Sequence, residues 1–342
     1  MNNTSQINRR NFLQTAGSAA LAGVALPALA APRPASESLV KTLYDTLDKM
    51  QRKAVCFPWD YENENGLLRK HISNNWLITE PLIRSAFFTG EQQDIIRAIW
   101  EGLLNPEWIG RFDQQLTHDM NGWGVQQAIA IFGKPGTDQF EFVQSGRHGT
   151  LRCDGNSAEH VAFAGPIMYG DEGSSGYFEK ASHPDNVFWQ QALEANKLFE
   201  MFDGKLRKQA LLPEAPDEGE VGFRGPDGRF TGAAVADMTH DQKAHLQKVL
   251  RLLLEPFRQS DQDEAVAALK KNGGLDQCHL TFYKRDDLGS DGIWDNWRLE
   301  GPAFVWHWRG APHVHVWVHV ADDHKVELNA RNRSGRLRQE AE

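Results

Sequence analysis

This sequence predicts an α+β fold in which two pseudo-repeats pack as one large domain, and three observations carry that prediction. Two helix-opening capping boxes, Thr89-Gly90-Glu91-Gln92 and Thr239-His240-Asp241-Gln242, stand 150 residues apart. Each is followed by an apolar stripe at helical spacing, a proline, and then alternating strand segments punctuated by glycine. The 342 residues, 40% hydrophobic and 24% charged, describe a globular chain with a large core and exclude a fibre or a disordered polymer.

The chain opens with an address. Asn8-Arg9-Arg10-Asn11-Phe12-Leu13 puts paired arginines before a mild apolar run, and Ala28-Leu29-Ala30 supplies a small-x-small cleavage site. Residues 1–30 resemble a twin-arginine export signal, which implies the export machinery as a partner and a periplasmic or secreted destination. The run from Ala16 to Leu26 is shorter than the roughly 20 apolar residues of a membrane span, so no permanent anchor is expected.

Residues 31–88 read as an N-terminal helix, with Leu39, Leu43, Leu47 and Met50 at helical spacing, plus a connecting region. The first repeat with its following helix covers 89–212. Ile95, Ile96, Ile99, Trp100 and Leu103 form the face of its capped helix, and one further helix is expected from Asn186 to Ala210. Residues 213–238 are rich in glycine and proline and read as a linker or a lid over a site. The second repeat spans 239–330, its helix faced by Leu246, Val249, Leu250, Leu253 and Leu254, and 331–342 form a polar, disordered tail. Ile129–Phe132 matches Leu280–Tyr283, and Gly146, Gly155 and His160 match Gly301, Gly310 and His315, so the copies align with short insertions.

Charge and cysteine content narrow the chemistry. A formal net charge of −9 gives no cationic field for a phosphate backbone, which argues against nucleic acid as a partner. Three cysteines without a C-x-x-C pair make neither a disulfide framework nor a zinc knuckle. No nucleophile motif, phosphate-binding loop or dinucleotide fingerprint is present.

Chemistry concentrates between residues 304 and 320, where four of the 13 histidines fall within positions 307–319. Alternation along a strand gives Val314, Val316, Val318 and Val320 one face, and His313, His315, Trp317 and His319 the other. The valines join a core. Adjacent co-facial residues sit about 6.5–7 Å apart, so His313 and His315 are able to converge on one metal ion; the competing reading is a polar strand face bonded to backbone or water. His307 joins them or not according to the length of the loop at Gly310–Pro312. His148 and His160 are the candidate ligands from the first repeat, and Glu159 is a nearby carboxylate. Arg298 and Glu300 alternate with Trp297 and Leu299 and read either as cleft residues or as a structural ion pair. The surrounding tryptophans suit either a core or a ligand groove.

Taken together, residues 75–320 resemble a bacterial family of unknown function, number 3500. Trp297-Arg298-Leu299-Glu300-Gly301-Pro302 is similar to the family's aromatic-Arg-x-x-Gly-Pro segment, His313-Val314-His315 to its H-x-H, and Gly146-Arg147-His148 to a Gly-His-His-Leu element. The resemblance implies that His148, His313, His315 and Arg298 are shared site residues, sets His160 lower, and implies no reaction.

The expectation is an exported protein that holds one transition metal ion on three histidines. Copper or iron is favoured, with zinc as the alternative, because neutral imidazole suits all three. A metal-dependent oxidoreductase acting on an unidentified small molecule leads, with Arg298 positioning an anionic or carbonyl group. A zinc-dependent hydrolase using Glu159 or Glu300 as base is the second option, and a non-catalytic periplasmic ligand- or metal-binding protein is the third.

Overall fold

The computed structural model describes residues 35–64, 66–154, 160–173, 187–289, 291–326 and 329–330, so the expected export signal, Glu159 and the tail lie outside the described residues. Helices α1 (Ser36–Thr46) and α2 (Lys49–Val55) lead into β1 (Cys56–Phe57), followed by the short strands β2 (Glu62–Asn63), β3 (Gly66–Leu67) and β4 (His71–Ile72). Helices α3 (Gly90–Gly102) and α4 (Ile109–Met120) precede β5 (Gln127–Gly133), β6 (Phe140–Gly146), β7 (Gly149–Asp154) and β8 (Ile167–Asp171). A second run brings α5 (Trp189–Glu200), α6 (Gly204–Ala210), β9 (Leu211–Leu212), β10 (Ala233–Ala234), α7 (His240–Leu254) and α8 (Gln259–Lys271). It ends with β11 (His279–Tyr283), β12 (Asn296–Gly301), β13 (Phe304–Arg309), β14 (Val314–Val320) and β15 (Asn329–Ala330).

The fold is α+β. Eleven strands form one sheet in the order β1-β5-β6-β7-β8-β14-β13-β12-β11-β10, with β9 also beside β11. Strands β5 to β8 and β11 to β14 are two antiparallel meanders that meet where β8 pairs with β14. Both capping boxes form as written. Thr89 Oγ1 accepts from Gln92 N–H at 3.2 Å and Thr239 Oγ1 from Gln242 N–H at 3.3 Å. Each capping glutamine also donates to a carbonyl at the end of the preceding long helix, Gln92 to Thr46 and Gln242 to Met201.

The helices pack on one face of the sheet, where Val314, Val316, Val318 and Val320 join Trp297, Trp306 and Trp308 in the main core. These three indoles are fully buried core residues. The opposite face carries two smaller apolar clusters, one of which joins Ile72, Met168, Val221, Val305 and Trp317. Long connections rather than helices cover this side, so polar strand residues here are buried beneath loops.

Two expectations about elements need correction. The helix expected from Asn186 to Ala210 is two helices, because Asp203 caps a new one by accepting from Leu206 N–H at 2.8 Å. His160 does not occupy the place of His315. It precedes a short 3-10 turn at Ala162–Ala164, and β8 begins only at Ile167, so several residues intervene between the matched glycine and the strand.

Candidate metal centre

Three imidazoles meet at the junction of the two meanders. His315 lies in β14 opposite Gly170 of β8, and His313 immediately precedes that strand. His148 sits in the two-residue turn between β6 and β7 with a left-handed φ of 52°, a conformation few non-glycine residues adopt. Its backbone is held on both sides: its N–H donates to Asn74 O and its carbonyl accepts from Gly170 N–H, both at 3.0 Å. Gly170 is required by space. A Cβ there would collide with the Val314 carbonyl and stand 3.3 Å from the His148 side chain.

The three Nε2 atoms form a nearly equilateral triangle, 3.1 Å between His313 and His148, 2.9 Å between His313 and His315, and 3.0 Å between His315 and His148. Two of the opposite nitrogens face carboxylates. His148 Nδ1 faces Asp119 Oδ2 at 2.8 Å, and His315 Nδ1 faces Glu218 Oε2 at 2.9 Å. A carboxylate can only accept, so it holds the ring proton on Nδ1 and leaves the Nε2 lone pair pointing inward. The carboxylates are themselves fixed. Asp119 accepts from Gln115 and from Glu172 N–H, and Glu218 accepts from Asn74 Nδ2 at 3.0 Å and pairs with Arg309 at 3.3 Å.

Burial first, then His148 and Arg309, holds the His313 imidazole down to about 3, and burial followed by Arg309 holds His315 well below its ordinary value. Both rings are neutral at pH 7. Lone pairs 3 Å apart repel unless a proton or a cation lies between them, and a metal is the group that three neutral imidazoles fit. With metal–nitrogen distances of about 2.1 Å, such a triangle subtends about 90° at the ion, the corner of an octahedron; a tetrahedral ion would want edges of about 3.4 Å.

A family model described as a protein of unknown function (DUF3500) matches residues 31–321. The chain belongs to this family. Neither a curated protein nor a solved structure matches the chain. The matched DUF3500 segment contains the triad, both carboxylates behind it and all the strands of the large sheet, but the family description states no activity.

Other residues singled out from the sequence lie elsewhere. His307 shares the sheet face of His315 but stands one pair further along, opposite Trp317, because Arg309 pairs with His315 rather than with His313 or Val314. Its Nδ1 accepts from Arg298 Nε at 2.9 Å, so Arg298 binds His307 and is not at the triad. Glu300 accepts from Arg224 Nε at 2.9 Å. His160, its side chain 48% exposed, contacts Asp322 Oδ1 at 2.6 Å and is no part of the centre.

Asp119, Glu218, Asn74 and Gly170 were not legible as site residues. Each belongs to a segment distant in sequence, and none stands in a pattern that marks it. The segment expected as a linker or lid packs back onto the sheet, bringing Glu218 to the triad and burying Val221 completely.

Proposed function

We propose that this chain is an exported metalloprotein that binds one transition metal ion on His148, His313 and His315, and that it works as a copper- or iron-dependent oxidoreductase. The observation that carries the reading is the Nε2 triangle with carboxylates behind two of its rings. Such carboxylate–histidine pairs fix the tautomer and raise ligand basicity. The facial arrangement supports an ion that keeps several open positions on the side away from the histidines. A bound redox metal would supply one-electron chemistry to a small molecule or dioxygen held there. His313, the least buried of the three, marks the side from which solvent and substrate approach.

The chain's own residues have defined parts in this reading. Asp119 and Glu218 hold the proton on Nδ1 of His148 and His315, and Arg309 steadies Glu218. The paired arginines Arg9 and Arg10 and the Ala28-Leu29-Ala30 site support export to the periplasm. A zinc hydrolase loses support, because Glu300, one of its two candidate bases, is engaged by Arg224.

The test is elemental analysis of protein exported under its own signal, with electron paramagnetic resonance of the bound ion. About one copper or iron per chain, with nitrogen coupling in the spectrum, is the expected result. Stoichiometric zinc would replace the oxidoreductase reading with the hydrolytic one, and a metal-free protein that takes up no ion would overturn the metal reading.

A further inference from the structure

A second polar group lies on the same sheet face as the triad, beneath the connection that runs from 213 to 232. Arg298, His307 and Trp317 stand in register across β12, β13 and β14, and Glu300, Val305 and His319 form the next row. Arg298 is 1% exposed, and two of its nitrogens donate to the same neutral acceptor, His307 Nδ1. Its Nη1 has no hydrogen-bond partner among the described residues. Glu300 Oε1 is 3.9 Å away and already accepts from Arg224. Tyr283 and Glu220 act on the guanidinium only through space. Among the described residues, the Trp317 indole N–H and both ring nitrogens of His319 are likewise buried without a hydrogen-bond partner.

A guanidinium taken out of water with too few acceptors is destabilising, and so is each orphaned N–H beside it. Tryptophan only donates, and a neutral imidazole always carries one donor. The group therefore has a surplus of donors, and the two guanidiniums of Arg298 and Arg224 share the Glu300 carboxylate, at 3.9 and 2.9 Å. Water would supply acceptors but no counter-charge. We propose that Arg298, Trp317 and His319 form a binding site for a small carboxylate, separate from the three-histidine centre. Two coplanar oxygens match the fork of a guanidinium, and Val305, Val221 and Phe223 supply an apolar wall for a short hydrocarbon tail. The connection over the site carries Val221 and Phe223, and Glu218 from the same connection reaches the metal centre, so one segment closes both sites.

Acetate is the probe. Calorimetric titration of the full chain at pH 7 should show saturable binding of about one acetate per chain, with a matching rise in Tm. Arg298→Gln should weaken it about ten-fold or more. Trp317→Phe, which keeps an aromatic ring but loses the N–H together with part of the indole, should weaken it about three-fold or more, the scale of one hydrogen bond. His313→Ala, which removes a proposed metal ligand, should leave acetate affinity unchanged, so the outcome is independent of metal content. No saturable binding by the parent chain, undiminished affinity in both Arg298→Gln and Trp317→Phe, loss of acetate binding in His313→Ala, or tighter binding of sulfate than of acetate would each overturn the proposal.

Discussion

Strand β14 carries two histidines on one face, His315 and His319, and they end in opposite chemistry. His315 has a carboxylate behind it and two imidazoles in front, so its free lone pair joins a set of acceptors. Among the described residues His319 has neither; the Arg152 and Arg298 guanidiniums act on it through space, and it belongs to a set of donors. His307 shows the same rule from the next strand, since an arginine rather than a carboxylate meets its Nδ1. The residue type is constant, and the group at the second ring nitrogen decides whether an imidazole suits a cation or an anion.

The largest expected effect falls on the acceptor set. Removing a ligand, by His148→Ala or His315→Ala, should lower metal affinity more than about 100-fold, above the range for losing an outer partner, whereas His307→Ala should leave metal content per chain unchanged. Chelator competition followed by elemental analysis checks this, and equal losses in all three variants would erase the distinction drawn here. Next come the carboxylates. Asp119→Asn and Glu218→Gln should each reduce metal affinity about 10- to 100-fold, since each removes the charge that holds the Nδ1 proton.

Acid stability sharpens the donor side. Burial, then Arg152 and Arg298, pushes the His319 imidazole down to about 3, below the ordinary value of 6.5. Because the folded state binds this proton more weakly than the unfolded state, His319 contributes stability that is present above about pH 6.5 and is lost as pH falls toward about 3, by up to about 1.4 kcal/mol per pH unit. Urea unfolding at about pH 7 and about pH 5 should show a shallower pH dependence for His319→Gln than for the parent chain. Identical slopes would mean that His319 is not held neutral. The smallest expected effect is on metal binding by Trp317→Phe, which should shift affinity less than about two-fold, because Trp317 lies in the donor set although it is two residues from His315.

Much of the fold was legible because its signals are local. A threonine and a glutamine three residues apart satisfy each other's backbone amides wherever they open a helix, and both boxes formed. Val314 to Val320 face the helices because alternate side chains on a strand must point opposite ways. The same parity put His313 and His315 on one side. His148 and His160 were both candidates from the first repeat, and only the family resemblance ranked His148 higher, since a histidine in a turn carries no periodic signal. The expected match of His160 with His315 failed because a change in the length of an intervening connection moves a residue out of register with no trace in spacing.

From the sequence alone came the α+β class, the two capped helices, the valine face and the concentration of histidines near 313. Pairing β8 with β14 is what brings His148 against His315, and only the tertiary structure decided that. It also set Asp119 and Glu218 behind the rings, left room at Gly170, and sent His307 to Arg298. The reason is physical: periodicity and capping are satisfied within a few residues, whereas a site is a set of contacts between segments whose separation along the chain holds no information about the angle and distance at which they meet.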